Sequence, residues 1–142
     1  MIEALAGVLV GILTIALAKL IKGERWLYSL GLLTLPGAYV LFAFYAGERA
    51  VGVQEIIFGV PFILGGLVCA FISIRMSAVL VGVLWILHGV YDLTHGQLFI
   101  NPGAPVWWPV YCAAVDVVIG LYLLWLSRQL LNADLRQAPS SK

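Results

Sequence analysis

The chain has 142 residues, 63% of them hydrophobic and 11% charged, with a mean hydropathy of +1.04 and a formal net charge of +1. A chain so composed has too little polar surface to cover itself in water, which excludes an ordinary soluble domain, and no nucleic-acid partner is expected, since the net charge gives no sign of one and the basic residues are explained by membrane topology. The apolar residues arrive in blocks of about 20, the length that crosses a hydrocarbon core of about 30 Å, so the fold class expected is an all-α membrane protein with five transmembrane helices.

The first span is expected over about residues 2–21. Gly7 and Gly11 give it a GxxxG spacing that lets helix backbones approach, either within the chain or across a homodimer. Met1-Ile2-Glu3 lacks a basic leader and the lysines follow the apolar run, so the segment reads as a span and not as a cleaved signal peptide. Lys19, Lys22, Glu24 and Arg25 close it. The second span, about 26–46, contains Pro36-Gly37 and is followed by Gly47, Glu48 and Arg49; the third, about 52–72, contains Pro61 and is followed by Ser73-Ile74-Arg75. A proline inside a membrane helix removes an amide donor and is expected to kink the helix. The fourth span, about 77–96, ends in the run HGVYDLTHG, residues 88–96; NPGAP, residues 101–105, is a turn; and the fifth span is expected over about 106–127. Residues 129–142 form a polar tail, expected to fray, while Trp26, Tyr28, Trp107 and Trp108 stand at span ends where amphipathic rings favour the headgroup level.

Basic residues near span ends are retained on the cytoplasmic side. With the first break inside, Lys19, Lys22, Arg25, Arg75, Arg128, Arg136 and Lys142 are cytoplasmic and only Arg49 is outside. The expectation is an inner-membrane, multi-pass protein with its N-terminus outside and its C-terminus in the cytoplasm. Cys69 and Cys112 fall at different depths, so no disulfide within the chain is expected.

HGVYDLTHG carries the chemistry. His88, Asp92 and His95 share a helical face, with Tyr91 on its flank. An Asp at the centre of a membrane helix costs about 2.5–3.5 kcal/mol, so these groups need partners inside the protein. The fifth span supplies them: running back from the turn, it brings Asp116 to the depth of His88 and Cys112 to that of Asp92, while Gln54 and Glu55 on the third span come near Asp92 and His95. The reading this favours is an outward-facing acid/base pocket for an apolar small molecule such as a sterol-like, isoprenoid or quinone-like compound. His88, Asp92, Asp116 and Tyr91 would be catalytic there, and Glu55, Trp85, Trp108 and Tyr111 would bind substrate. An alternative is a transition-metal site, zinc first among the metals, held by His88, Asp92, His95 and Cys112. A second alternative is that the polar residues only hold helices together.

HGVYDLTHG followed by NPGAPVWWPVYCAAVD resembles a family of short bacterial integral-membrane proteins of unknown function, over most of the chain. The resemblance implies fold and localisation and adds no chemistry. His88-x3-Asp92 with Asp116 in the next span is similar, more remotely, to the emopamil-binding and sterol-isomerase group, five-span proteins that use an intramembrane His and carboxylates for proton transfer. The chain departs from that pattern in having Asp at both acidic places, a second histidine at 95 and a shorter turn between the spans.

Overall fold

A computed structural model describes the chain except for Arg25, Ser73 and residues 138–142, and except for the side chains of Arg75, Leu135 and Gln137. The basic groups of Arg25, Arg75 and Lys142, and the Ala-Pro-Ser-Ser-Lys end, therefore lie outside the described residues. Five α-helices make up the regular structure of the rest: α1 (Ile2–Leu20), α2 (Leu27–Tyr45), α3 (Arg49–Cys69), α4 (Ile74–Leu98) and α5 (Trp108–Gln137). Each is long and apolar enough to cross a membrane.

Left-handed residues end the first two helices. Lys22 at φ 53° follows α1, and the Gly23 amide returns to the Ala18 carbonyl at 2.7 Å; Gly47 at φ 80° follows α2, and the Glu48 amide returns to Ala43 at 2.9 Å. Both bonds satisfy carbonyls that the last helical turn leaves open. Helices α2 and α3 run unbroken through Pro36 and Pro61. The fifth helix departs from the sequence expectation, because it continues through Gln129 to Gln137 where a frayed tail is expected. Leu, Gln, Ala and Arg are good helix formers, so the helix persists after its apolar character has ended.

Packing is most extensive between α4 and α5, then between α2 and α3, and between α1 and α5. Small residues set the close approaches. A Cβ on Gly7 would lie 2.3 Å from the Tyr111 carbonyl oxygen, and one on Gly11 would lie 3.0 Å from Val118, so the GxxxG face of α1 is occupied by α5 of the same chain. On the α4–α5 seam, a Cβ on Gly120 would meet the Gly82 oxygen at 2.8 Å, and one on Gly89 would meet the Asp116 Cβ at 3.2 Å. The seam therefore brings α5 against α4 at the level of the polar residues.

Tyr28, Leu32, Phe62, Val81, Trp85, Ile119 and Leu123 form the core. Tyr28 is thus buried, 2% exposed and packed on Tyr122, and not an interfacial anchor as its place at a span end suggests; Trp26 and Trp107 are about half exposed. Large apolar side chains such as Leu5, Leu41, Phe71 and Leu121 point outward from the bundle. Extensive apolar surface of this kind suits contact with lipid and not with water.

Candidate functional site

The polar residues of α4 meet α5 and α3 in two separate groups. In the first, His88 Nδ1 lies 2.8 Å from Asp116 Oδ2 and 3.6 Å from Asp92 Oδ2. His88 is ten residues before the end of α4 and Asp116 eight after the start of α5. At about 1.5 Å per residue both are roughly 12–15 Å from the helix ends that flank the NPGAP turn. The depth argument made from the sequence holds for this pair.

In the second group Glu55 is the hub. Its Oε1 accepts from Asn101 Nδ2 and contacts His95 Nε2, both at 2.8 Å, and its Oε2 accepts from the Tyr91 hydroxyl at 2.8 Å. The same Asn101 amide donates to the Tyr39 carbonyl at 2.9 Å, and Asn101 Oδ1 accepts from the Gly103 amide at 3.2 Å. The NPGAP segment is thereby tied to the third helix, and Tyr39 stacks on the His95 ring with centroids 4.3 Å apart.

The two groups differ in how well they are satisfied. Every oxygen of Glu55 has a hydrogen-bond partner, whereas among the described residues Asp92 Oδ1 and Oδ2, Asp116 Oδ1 and the Tyr39 hydroxyl are buried without a well-formed one, Asp92 Oδ2 standing 3.6 Å from His88 Nδ1. The Tyr39 hydroxyl lies close enough to Asp92 and Cys112 to interact with both electrostatically. One interhelical hydrogen bond in a membrane contributes about 0.6 kcal/mol, while each buried unsatisfied polar atom costs about 1–3 kcal/mol. Helix attachment accounts for the Glu55 group. It accounts less fully for His88, Asp92 and Asp116, where one good hydrogen bond stands beside three carboxylate oxygens without one.

His88, Asp92 and Asp116 can each offer one ligand atom to a metal ion, the three atoms lying within 4.8 Å of one another. Of the ligand set expected from the sequence, His88 and Asp92 fall in this trio, joined by Asp116, whereas His95 faces Glu55 and Cys112 is buried. Tyr91 likewise belongs to the Glu55 group. Of the other residues expected to contact substrate, Trp85 is in the core and donates its indole N–H to the Tyr28 carbonyl at 3.1 Å. Trp108 and Tyr111 pack with Trp107 at the start of α5 and line a surface groove with Ile2, Glu3 and Ala6.

Residues 2–129 match a family of unknown function, DUF6010. The chain belongs to that family. No curated protein and no solved structure matches it. The shared family gives no chemistry, so the site must be read from its own atoms.

The cluster is closed off from solvent. His88, Asp92, His95, Glu55 and Asp116 are each at most 3% exposed, and none of the five grooves described is lined by His88, Asp92 or Asp116. Two participants escape a reading of the sequence. Asn101 looks like a turn residue and proves to be a buried cross-link, and Tyr39 is one apolar-looking position in a long span. A tyrosine in mid-span is itself a signal, because its hydroxyl needs a partner in a place without water.

Proposed function

We propose that the chain is a multi-pass inner-membrane protein whose His88, Asp92 and Asp116 bind one divalent transition-metal ion at mid-depth. The observation that carries this reading is the set of orphaned, fully buried carboxylate oxygens around one imidazole. An ion about 2.0–2.1 Å from each ligand suits two of the separations, 2.8 Å between His88 and Asp116 (about 90° at the metal) and 3.6 Å between His88 and Asp92 (about 120°), while the trio as a whole, spread within 4.8 Å, would draw in slightly around it. Two carboxylates and a neutral imidazole around a divalent ion make a complex with no net charge. That matters in a medium where an uncompensated charge costs several kcal/mol. One nitrogen and up to four carboxylate oxygens suit Zn²⁺ first, with Mn²⁺ and Fe²⁺ as competitors.

Size favours an ion over a substrate. A sterol-like or isoprenoid molecule needs a cavity of about 300 Å³ or more beside the reacting groups, whereas an ion needs only the space between three ligand atoms. The orientation supported by the basic residues puts the NPGAP turn outside. Lys19, Lys22, Arg128 and Arg136 belong to the opposite end of the bundle, where Lys19 Nζ lies 4.9 Å from the centre of the Tyr122 ring.

The test is the metal content of protein purified in detergent after exposure to Zn²⁺, Mn²⁺ and Fe²⁺ in turn. Close to one ion per chain is expected from at least one of them, with loss in His88→Ala, Asp92→Asn and Asp116→Asn and retention in His95→Ala. Wild-type protein that takes up none of the three would refute the reading, and metal-free protein that binds an isoprenoid or sterol would return the trio to acid/base chemistry.

A further inference from the structure

Between the metal trio and the NPGAP turn the protein carries a run of polar side chains that is hydrogen-bonded from His95 onward. From Asp92 it passes to His95, three residues on along α4, then to Glu55 at 2.8 Å, to Asn101 at 2.8 Å, and to the backbone of the turn at Gly103. Tyr91 joins Glu55 from the other side, 5.8 Å ring to ring from His88. Toward the other end of the bundle the trio meets Trp85, Val81, Ile119 and Leu123, all buried and apolar, and the single polar group of Trp85 is engaged by the Tyr28 carbonyl. The first route is polar from the trio onward, whereas on the second the trio meets this apolar layer first, with Tyr28, Ser29, Ser77 and Glu24 beyond it.

Resting on the metal reading above, we propose that Glu55 and His95 form an antechamber that accepts the divalent cation on its way to Asp92, His88 and Asp116, and that Asn101 is the latch that closes it. Glu55 and His95 supply one carboxylate and one imidazole nitrogen, the same donor types as the trio, about one helical turn nearer the loop. In the closed state the Glu55 oxygens are occupied by the Asn101 amide, the Tyr91 hydroxyl and the His95 ring nitrogen. Release of Asn101 from Glu55 and from the Tyr39 carbonyl frees a carboxylate oxygen and unseats the turn. The turn is seated closely, since a Cβ on Gly103 would lie 2.0 Å from the Phe42 carbonyl oxygen.

The latch and the antechamber predict opposite kinetic effects at one hub. With Zn²⁺ as probe, Asn101→Ala should speed both uptake and removal by EDTA, by about tenfold for the loss of its hydrogen bonds. Glu55→Gln should slow uptake by a similar factor, because the ion loses its charged stopping point. Both variants should still hold close to one ion per chain at equilibrium. If the hub only braces the fold, both variants exchange faster, and that result overturns the proposal. Sidedness gives a second test on the otherwise unaltered chain, in proteoliposomes oriented by labelling a Val106→Cys variant. EDTA added on the NPGAP face should strip the ion, and stripping from the Lys19 and Arg128 face would overturn the route. A wild-type protein without bound ion refutes the metal reading itself, whereas bound ion with equal exchange in all variants refutes the route alone.

Discussion

At Asp92 the chain keeps a carboxylate that is 1% exposed and has neither oxygen hydrogen-bonded, while one turn away Glu55 is equally buried and fully paired. The two should respond to mutation in opposite ways. Removing Glu55 strands Tyr91, His95 and Asn101, so Glu55→Ala should lower the thermal midpoint of the metal-free protein strongly, a loss of about 3 kcal/mol or more at about 1–3 kcal/mol per stranded group. Asp92→Asn alters a buried carboxyl that faces His88 at 3.6 Å without a hydrogen bond, so it should leave the metal-free midpoint little changed or raised while abolishing the rise that Zn²⁺ produces in the wild type. A thermal-shift series with and without Zn²⁺ checks both, and an Asp92→Asn protein that still gains stability from Zn²⁺ would remove Asp92 from the site. Equal depth along antiparallel helices made the His88–Asp116 and Glu55–His95 contacts legible in the sequence. It could not divide the two histidines, because both lie on one face of α4 and only the position of α3 turns His95 away from the trio.

At the scale of elements, the site depends on how closely α5 lies along α4. A methyl group at Gly120 would come within 2.6 Å of Ile86 and 2.8 Å of a backbone oxygen, and the backbone cannot swing aside as a side-chain tip can. Overpacking of that kind costs about 1–3 kcal/mol, more than the roughly 1 kcal/mol that alanine gains over glycine in a helix. Gly120→Ala should therefore destabilise the protein and weaken metal binding, since it pushes Asp116 away from His88. Gly37→Ala is the control: nothing lies within 4 Å of its Cβ position, so it should be neutral or stabilising by up to about 1 kcal/mol. Measuring unfolding and Zn²⁺ affinity for the pair checks the seam, and equal effects would show that it does not position the site. Five helices could be counted from the apolar blocks and the breaks between them, and Gly7 and Gly11 pack against α5 of the same chain, one of the two uses their spacing allows. The contact between Gly82 and Gly120 was not legible, because it needs the register of two helices and no single-helix motif encodes it.

For the whole molecule the proposed sidedness of the basic residues and the proposed metal site make one testable statement, that an ion bound by the trio would be reached from the face opposite Lys19 and Arg128. Orientation is checked with a membrane-impermeant maleimide in intact cells: Val106→Cys, at a position 97% exposed beside the turn, should react, and Asn132→Cys at the exposed end of α5 should not. The native thiols Cys69 and Cys112 are buried and should give little background, and the reverse labelling would invert the molecule in the membrane. Val106 is a better probe than the turn glycine Gly103, whose Cβ position collides with the Phe42 carbonyl. The central claim is the identity of the ligands, and X-ray absorption at the zinc edge of the loaded, purified protein reads it directly. The account predicts nitrogen and oxygen neighbours at about 2.0–2.1 Å with no sulfur, from His88, Asp92 and Asp116. A zinc–sulfur distance of about 2.3 Å would place a cysteine in the shell and contradict it.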